Sequence, residues 1–585
     1  MSEVDKVPVR IGLLKMLRIN EVQYVIPVYQ RNYTWTSGHE VKKLLEDLYE
    51  VLNGNRKKHF LGIMIYLSQE ISMFQREYSI IDGQQRLTTI FLLLYALKAI
   101  MLKRGMKEDA EQLEKQYLQN SNAKDDPYKL KPLVSDDNVY QCIVHGRVDD
   151  IENKKSNVYL NYKYIKDWLE YILKEYTIDN VLSSLDELYI VCIPVGTDDY
   201  PQKIFESINA TGAKLTASDL IRNYILMPIT SDKQDEYYKK YWRKIEALIA
   251  PDSKKLESFF RFFIMAKRGT MVNKNATYKA FVNWFEESKN KTEDIQSILQ
   301  EIVRYAKYHN FIFKKDIASL PKELQKSIKE YRTIKSEMPV PLLLDYCALN
   351  EAYNNKGNGI SNQQLSEIIS TLNSYLMRRA LCEMDTSSIT RYFPLLLKET
   401  KNKCNGDYTN IVSCFRKCLI NENRGTPQEM PDDKKLMDRI YNANMYNIAS
   451  WVNIFFRKLE SDNNPAPVDF SKLSIEHLMP QTVTAQWLVA LDTDKETYEE
   501  NVHRLGNLTL AAVTDNSKMS NNSWEKKKSI LMTTSHLKIN QNILKKDSWT
   551  LKDIDERTKD LVGHIAKLYP YDAVKDEEME KIPYS

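Results

Sequence analysis

At 585 residues the chain is too long for a single hydrophobic core, and about three domains are expected. It carries 83 lysines and arginines against 79 aspartates and glutamates, a net charge of +4. That balance excludes a protein coated with nucleic acid over its whole surface. The seven cysteines, an odd number without paired spacing, exclude a disulfide-stapled scaffold. Cys404, Cys414 and Cys418 lie close in sequence, but no histidine or second cysteine pair completes a four-ligand zinc set, so buried thiols in a reducing cytosol are expected. The opening MSEVDKVPVR lacks the apolar run of a signal peptide, and no run approaches the roughly eighteen apolar residues of a membrane span. The expectation is a soluble, cytoplasmic chain with no membrane partner.

In chain order, VQYVIPVYQR reads as a strand entering a loop and HEVKKLLEDLYEVLN as an amphipathic helix. HFLGIMIYLSQ and SMFQREYSIID read as neighbouring strands, and GQQRLTTIFLLLYALKAIMLKRG as a long apolar helix. LYIVCIPVG is a late strand expected to rejoin the first sheet. FESINATGAKLTASDLIRNYIL follows as helix, glycine turn and helix, with Thr216 or Ser218 as N-cap.

Two clusters in this region carry chemistry. In PVYQRNYTW, the rings of Tyr29, Tyr33 and Trp35 alternate with Gln30, Arg31 and Asn32. Such a loop can stack a base and read its edges, or it can pack on the core. In IIDGQQR, a strand ends at Asp82, Gly83 permits a tight turn, and a helix begins at Gln84. Helix starts present unpaired N–H groups to anions. Arg86 adds a phosphate donor, Gln84 and Gln85 add amides, and Asp82 can hold a metal or position water. The alternative is a plain capping turn. Further on, Asn209, Asp219 and Arg222 either line the same pocket or form an intrahelical ion pair.

From about 231 to 430 the pattern is almost wholly helical, and its tryptophans, tyrosines and phenylalanines at helical spacing read as core. The polar run NENRGTPQEMPDDKK, 421–435, reads as a linker. Residues 501–550 carry eight Lys or Arg against three Asp or Glu, so this end is locally basic. The final stretch, DAVKDEEMEK, reads as a solvated acidic tail.

The segment from Ser474 to Asn516 holds the densest chemistry: SIEHLMPQTV, then HRLGNLTLAAVTDN. Glu476 and His477 are adjacent, His503 and Asn507 follow, and Asn516 closes the segment. An acid–His pair, a middle Asn and a terminal Asn are the pattern of an HNH, or ββα-metal, nuclease. Phosphodiester hydrolysis needs a base to deprotonate water and a hard cation to carry developing charge. His477 suits the base. Glu476 and Asn516 offer oxygens suited to Mg²⁺ or Mn²⁺, and Asn507 would hold the loop presenting the histidine.

Together, PVYQRNYTW, HFLG, IIDGQQR, FESINATGAKLTASDLIRN, IEHLMPQ and HRLGNLTL resemble the GmrSD-like modification-dependent restriction endonucleases, over roughly 10–225 and 435–565. The resemblance implies an α+β, mostly helical chain: a ParB-like α/β domain over 1–230, a helical connecting domain over 231–430 and an HNH nuclease domain over 431–585. It implies an NTP-regulated, metal-dependent DNA endonuclease in anti-phage defence, sensing modified phage DNA, with homo-oligomerisation open. Asp82, Gln84, Gln85 and Arg86, with Gln30 and Arg31 beside them, would bind and hydrolyse GTP or ATP. Tyr29, Tyr33 and Trp35 would sense the modification. His477 would be the base with Asn507 as the motif's middle Asn, and Glu476 and Asn516 would face the metal. The sequence has Glu where the family has Asp before the histidine, one methylene longer. A modification sensor that binds without cutting, or a nuclease acting on RNA, are the alternatives.

Overall fold

The structure, a computed structural model, describes residues 7–72, 75–120, 127–196, 204, 215–229, 231–249, 253–292, 294–464, 467–534 and 536–575. Asn209 and the end of the acidic tail lie outside these residues. The chain divides into two compact units, residues 1–257 and 258–585.

The first unit is built on a six-stranded mixed sheet of β1 (Val9–Gly12), β2 (Val22–Val25), β3 (His59–Ser72), β4 (Gln75–Asp82), β5 (Leu130–Lys131) and β6 (Leu188–Val195). Their spatial order is β1-β6-β3-β4-β2-β5. β3 and β4 pair antiparallel, as expected for neighbouring strands, and β6 returns to run parallel beside β3. Along β6 buried and half-buried positions largely alternate, the mark of a sheet with one face covered and one open. The Gln84–Lys103 helix fills the covered side. Nearly every residue from Leu87 to Leu97 is buried, which is why its composition is apolar all round rather than along a stripe. Among the described residues it is the one helix long and apolar enough to cross a membrane, and here it is the core of a sheet-and-helix unit.

The turn that launches this helix needs glycine. Gly83 has φ +97°, and a Cβ there would meet the Ile63 carbonyl at 3.3 Å. A side chain in that conformation costs about 1–2 kcal/mol.

Among the described residues the second unit is helical apart from one antiparallel pair, β7 (Leu473–His477) and β8 (Leu508–Ala512). The aromatic residues of its early helices are core. Phe263 meets Trp284 and Tyr305 edge-on, with ring centres 4.7 and 5.1 Å apart. Cys404, Cys414 and Cys418 are buried free thiols.

The polar run 421–435 is not a free connector. The fully buried Arg378 donates to the Pro431 carbonyl at 2.9 Å and pairs with Asp433 at 2.6 Å. Arg379 donates to the carbonyls of Pro427 and Glu429 at 3.0 and 2.7 Å. The run is held down through its backbone carbonyls, which serve buried guanidinium groups, a partner that composition does not reveal.

Candidate active site

The C-terminal motif residues converge on the β7–β8 pair. Register places Glu476 opposite Thr509 and His477 opposite Leu508. β8 leads directly into the Val513–Met519 helix, so the local order is strand, strand, helix. Successive side chains of a strand point to opposite faces, and the two motif residues separate accordingly.

On one side, Glu476 is buried and paired with Lys527, whose ammonium lies 2.7 Å from Oε1. Lys527 also donates to the His477 carbonyl at 2.6 Å. On the other side, His477 Nε2 lies 3.0 Å from His503 Nδ1, and the Tyr446 ring covers both imidazoles. His477 is 3% exposed. Burial, with His503 and Lys527 close by, holds its pKa down to about 3, so it is neutral with one nitrogen free to accept a proton. Burial lowers the His503 pKa as well.

Asn507 is a clamp between the two motif segments. Its Oδ1 accepts from Met479 N–H at 2.7 Å and Trp549 Nε1–H at 3.2 Å. Its Nδ2 donates to the carbonyls of Met479 and Val502 at 2.8 and 2.7 Å. Two bonds accepted by Oδ1 and two donated by Nδ2 use the hydrogen-bonding capacity of the amide, and the side chain is wholly buried; it fixes the loop after His477 and offers no atom to substrate. The clamp is itself held from behind. Arg557 donates to the carbonyls of Gly506 and Leu508, each at 2.6 Å. A Cβ on Gly506 would lie 2.1 Å from the Ile554 carbonyl, which is why glycine precedes the asparagine. Asn516, in the helix after β8, donates to Ser474 Oγ and the Ile475 carbonyl at 3.2 and 3.0 Å.

These residues do not form a ready-made metal cage. Glu476, the expected carboxylate ligand, is spent on Lys527, and no three His, Cys, Asp or Glu side chains converge among the described residues. Asn516 Oδ1 alone is too little for a hard cation, which takes six or more oxygens.

In the N-terminal unit the aromatic loop is packed on the core, and this corrects its expected use as a stacking surface. Tyr29 and Tyr33 are buried. The Tyr33 hydroxyl bonds Thr89 Oγ1 at 2.6 Å, and Asn161 Nδ2 donates to it and to the Trp35 carbonyl. Only Trp35 of the three rings keeps partial exposure. Gln30 and Gln85 are fasteners. Gln30 Nε2 donates to the carbonyls of Ile80 and Ile81. Gln85 accepts from Thr34 N–H at 2.7 Å and donates to the Asn32 carbonyl at 3.1 Å. Thr216 is the N-cap of the Ala217–Leu226 helix, in a capping box with Asp219. From that helix Arg222 donates to the Tyr29 carbonyl at 2.8 Å and pairs with Asp219 at 3.0 Å, so it too secures the loop.

Four of the expected nucleotide residues keep free capacity. Gln84 Oε1 is buried without a hydrogen-bond partner among the described residues. Arg31 is half-buried near it, and Asp82 and Arg86 flank the helix start. Arg86 donates to the Ile63 carbonyl at 3.0 Å and lies against Gly62, where a Cβ would come within 2.8 Å of the guanidinium. The space between Arg31, Gln84 and Asp136 is about 10 Å³, room for about one water molecule.

A cavity of about 790 Å³ lies elsewhere in the second unit, among Lys326, Glu330, Ser370, Arg416 and Lys458. Arg416 pairs with Asp572 and Lys458 with Glu330, both lining the same cavity, so these charged groups neutralise one another.

Sequence reasoning did not single out Tyr446, Lys527 or Arg557. Lys527 is the middle lysine of WEKKK, a run that reads as solvated surface, yet its side chain is 1% exposed. Lys527→Met should destabilise the protein by about 3–5 kcal/mol at neutral pH, because it strands a buried carboxylate. Burial already raises the Glu476 pKa against the pull of Lys527. A carboxyl favoured in its protonated form by folding weakens the fold as pH rises, so the deficit shrinks on going from pH 7.5 to pH 5. The double variant Glu476→Gln, Lys527→Met should recover most of the loss. Urea unfolding at the two pH values checks both; equal deficits at both, or no recovery, would contradict the pairing.

Residues 12–226 match the N-terminal domain of the GmrSD restriction endonucleases, and residues 430–563 match their C-terminal domain. The two matches enclose the IIDGQQR turn and the β7–β8 site respectively. An uncharacterised protein of Methanocaldococcus jannaschii is 24% identical over 233 residues, covering 34% of this chain and 39% of that protein; the chain thus matches well under half of that relative's length. With both domains present, the chain belongs to the GmrSD-type restriction endonucleases.

Proposed function

We propose that the chain cuts DNA at the β7–β8 site, with His477 as general base, and that its targets are modified phage DNA. The observation that carries this reading is a buried histidine at a strand end, with its loop clamped by Asn507 and its ring partnered by His503. That is the fixed geometry a base needs before substrate arrives. Asn507 supports the base through the backbone, and Asn516 braces β7 from the following helix. The cluster Lys526, Lys527 and Lys528 shows the division of labour. Lys527 turns inward to Glu476 and the half-buried Lys528 pairs with Asp547, while Lys526 stays on the exposed basic surface.

Mg²⁺ or Mn²⁺ dependence belongs to the same proposal in a specific form. Lacking a cage, the protein would take up the cation together with the DNA phosphate, Asn516 Oδ1 being the protein oxygen on hand. The cation's chemistry there is charge stabilisation on the phosphate. His477→Ala should lower cleavage of modified plasmid by roughly 10²–10⁴-fold and leave DNA affinity nearly unchanged, since affinity rests on phosphate contacts elsewhere. Gel-based cleavage and fluorescence titration read the two quantities; wild-type cleavage by the purified variant would remove His477 from the reaction.

For the N-terminal unit we propose nucleotide regulation at the Gly83 turn. What supports it is Gln84 Oε1, unpaired among the described residues at the start of a long helix, with Arg31 lining the same small space and Asp82 and Arg86 beside it in sequence. The roughly water-sized space there means the 27–35 loop must shift for a nucleotide to enter. Asp82→Asn and Gln84→Ala should each weaken GTP or ATP binding at least tenfold, about 1.4 kcal/mol, without lowering the melting temperature appreciably. Calorimetric titration with both nucleotides is the check, and unchanged affinity in both variants would reduce the cluster to a helix cap.

A further inference from the structure

The sequence motif assigns one imidazole to the site, and the structure holds two. His477 Nε2 and His503 Nδ1 are 3.0 Å apart. Tyr446 organises the pair. Its ring stacks parallel to His503, with centroids 5.5 Å apart and 9° between planes, and meets His477 edge-on at 4.6 Å. The backbone ties Tyr446 to His503, because Met445 N–H donates to the His503 carbonyl at 3.0 Å. His503 is half-buried, whereas His477 is enclosed.

A neutral imidazole carries one proton on two nitrogens, and the hydrogen bond made by one nitrogen decides the state of the other. With Nε2 of His477 engaged by His503, Nδ1 is the nitrogen left for substrate. Resting on the nuclease reading above, we propose that His503 is a positioning residue, whose Nδ1 accepts the Nε2–H of His477 and so keeps Nδ1 of His477 bare. The attacking water gives its proton to that bare Nδ1. The water oxygen forms the new P–O bond as the bond from phosphorus to the leaving oxygen breaks, and the leaving oxygen takes a proton from solvent. Were the shared hydrogen bond reversed, His477 Nδ1 would carry the proton and could accept none.

Two variants of the full chain separate this role from packing. His503→Phe keeps a ring on Tyr446 and removes the acceptor nitrogen. His503→Asn gives up the ring and returns an acceptor oxygen near the Nδ1 position. With the eight histidines ¹⁵N-labelled, and His477 assigned by the signals lost in His477→Gln, the wild type should show Nε2 protonated and Nδ1 bare. His503→Phe should show mixed tautomers, with kcat for DNA cleavage reduced by roughly 10²-fold and KM unchanged. His503→Asn should regain at least tenfold of that loss. A protonated Nδ1 in the wild type, or unchanged tautomer and kcat in His503→Phe, would overturn the assignment. If His503→Phe does not fold, the tautomer of His477 in His503→Asn against wild type decides alone. If the wild type cuts no DNA, the nuclease reading falls, while the ¹⁵N pattern still reports whether His503 sets the tautomer.

Discussion

Four hydrogen bonds to the side-chain amide of Asn507 hold the C-terminal site together. They join the turn after His477 to the chain at Val502 and to Trp549, segments that are far apart in sequence. Buried amides left unpaired cost about 1–3 kcal/mol each, so the loop has a strong reason to keep one geometry. Arg557 and the close approach of Gly506 to the Ile554 carbonyl then press that loop onto the Leu551–Leu568 helix. His477 is thus held through its backbone on one flank by Asn507 and on the other by Lys527, while His503 and Tyr446 fix its ring.

The same economy governs the N-terminal unit. One aromatic loop is fastened by Gln30, Gln85, Asn161 and Arg222, each reaching a backbone group from a different element. Polar side chains that a sequence presents as ligand-binding candidates are, in large part, satisfying backbone N–H and C=O groups that a buried irregular loop would otherwise leave unpaired. What remains unsatisfied, Gln84 Oε1 above all, is for that reason the more informative atom.

Much of this was legible in the sequence. The β-rich runs HFLGIMIYLSQ and SMFQREYSIID announce the β3–β4 pair, the apolar run after Arg86 announces an enclosed helix, and Thr216 followed by Asp219 announces a capping box. The separation of Glu476 from His477 was legible in principle, since adjacent strand residues face opposite ways, but only once residues 473–477 are known to be a strand. Lys527 was illegible. Nothing local distinguishes the inward lysine of three, because its partner is fifty residues away and burial of a charge is decided by tertiary packing. The sequence also could not say that Tyr29 and Tyr33 point into the core, because aromatic rings serve cores and base-stacking surfaces alike. For the 421–435 run, composition misled, as carbonyl-to-arginine bonds leave no trace in the residue types of the accepting segment.

The central claim is that this chain hydrolyses DNA and chooses it by modification. The most direct measurement incubates the full-length protein with modified phage DNA and with unmodified DNA of the same sequence, with Mg²⁺ or Mn²⁺ and each of GTP and ATP, and follows strand breaks on a gel. The account predicts breaks in the modified DNA that disappear on chelation of the metal, with the unmodified DNA largely spared. Intact DNA under every combination, or equal cutting of both substrates, would contradict it.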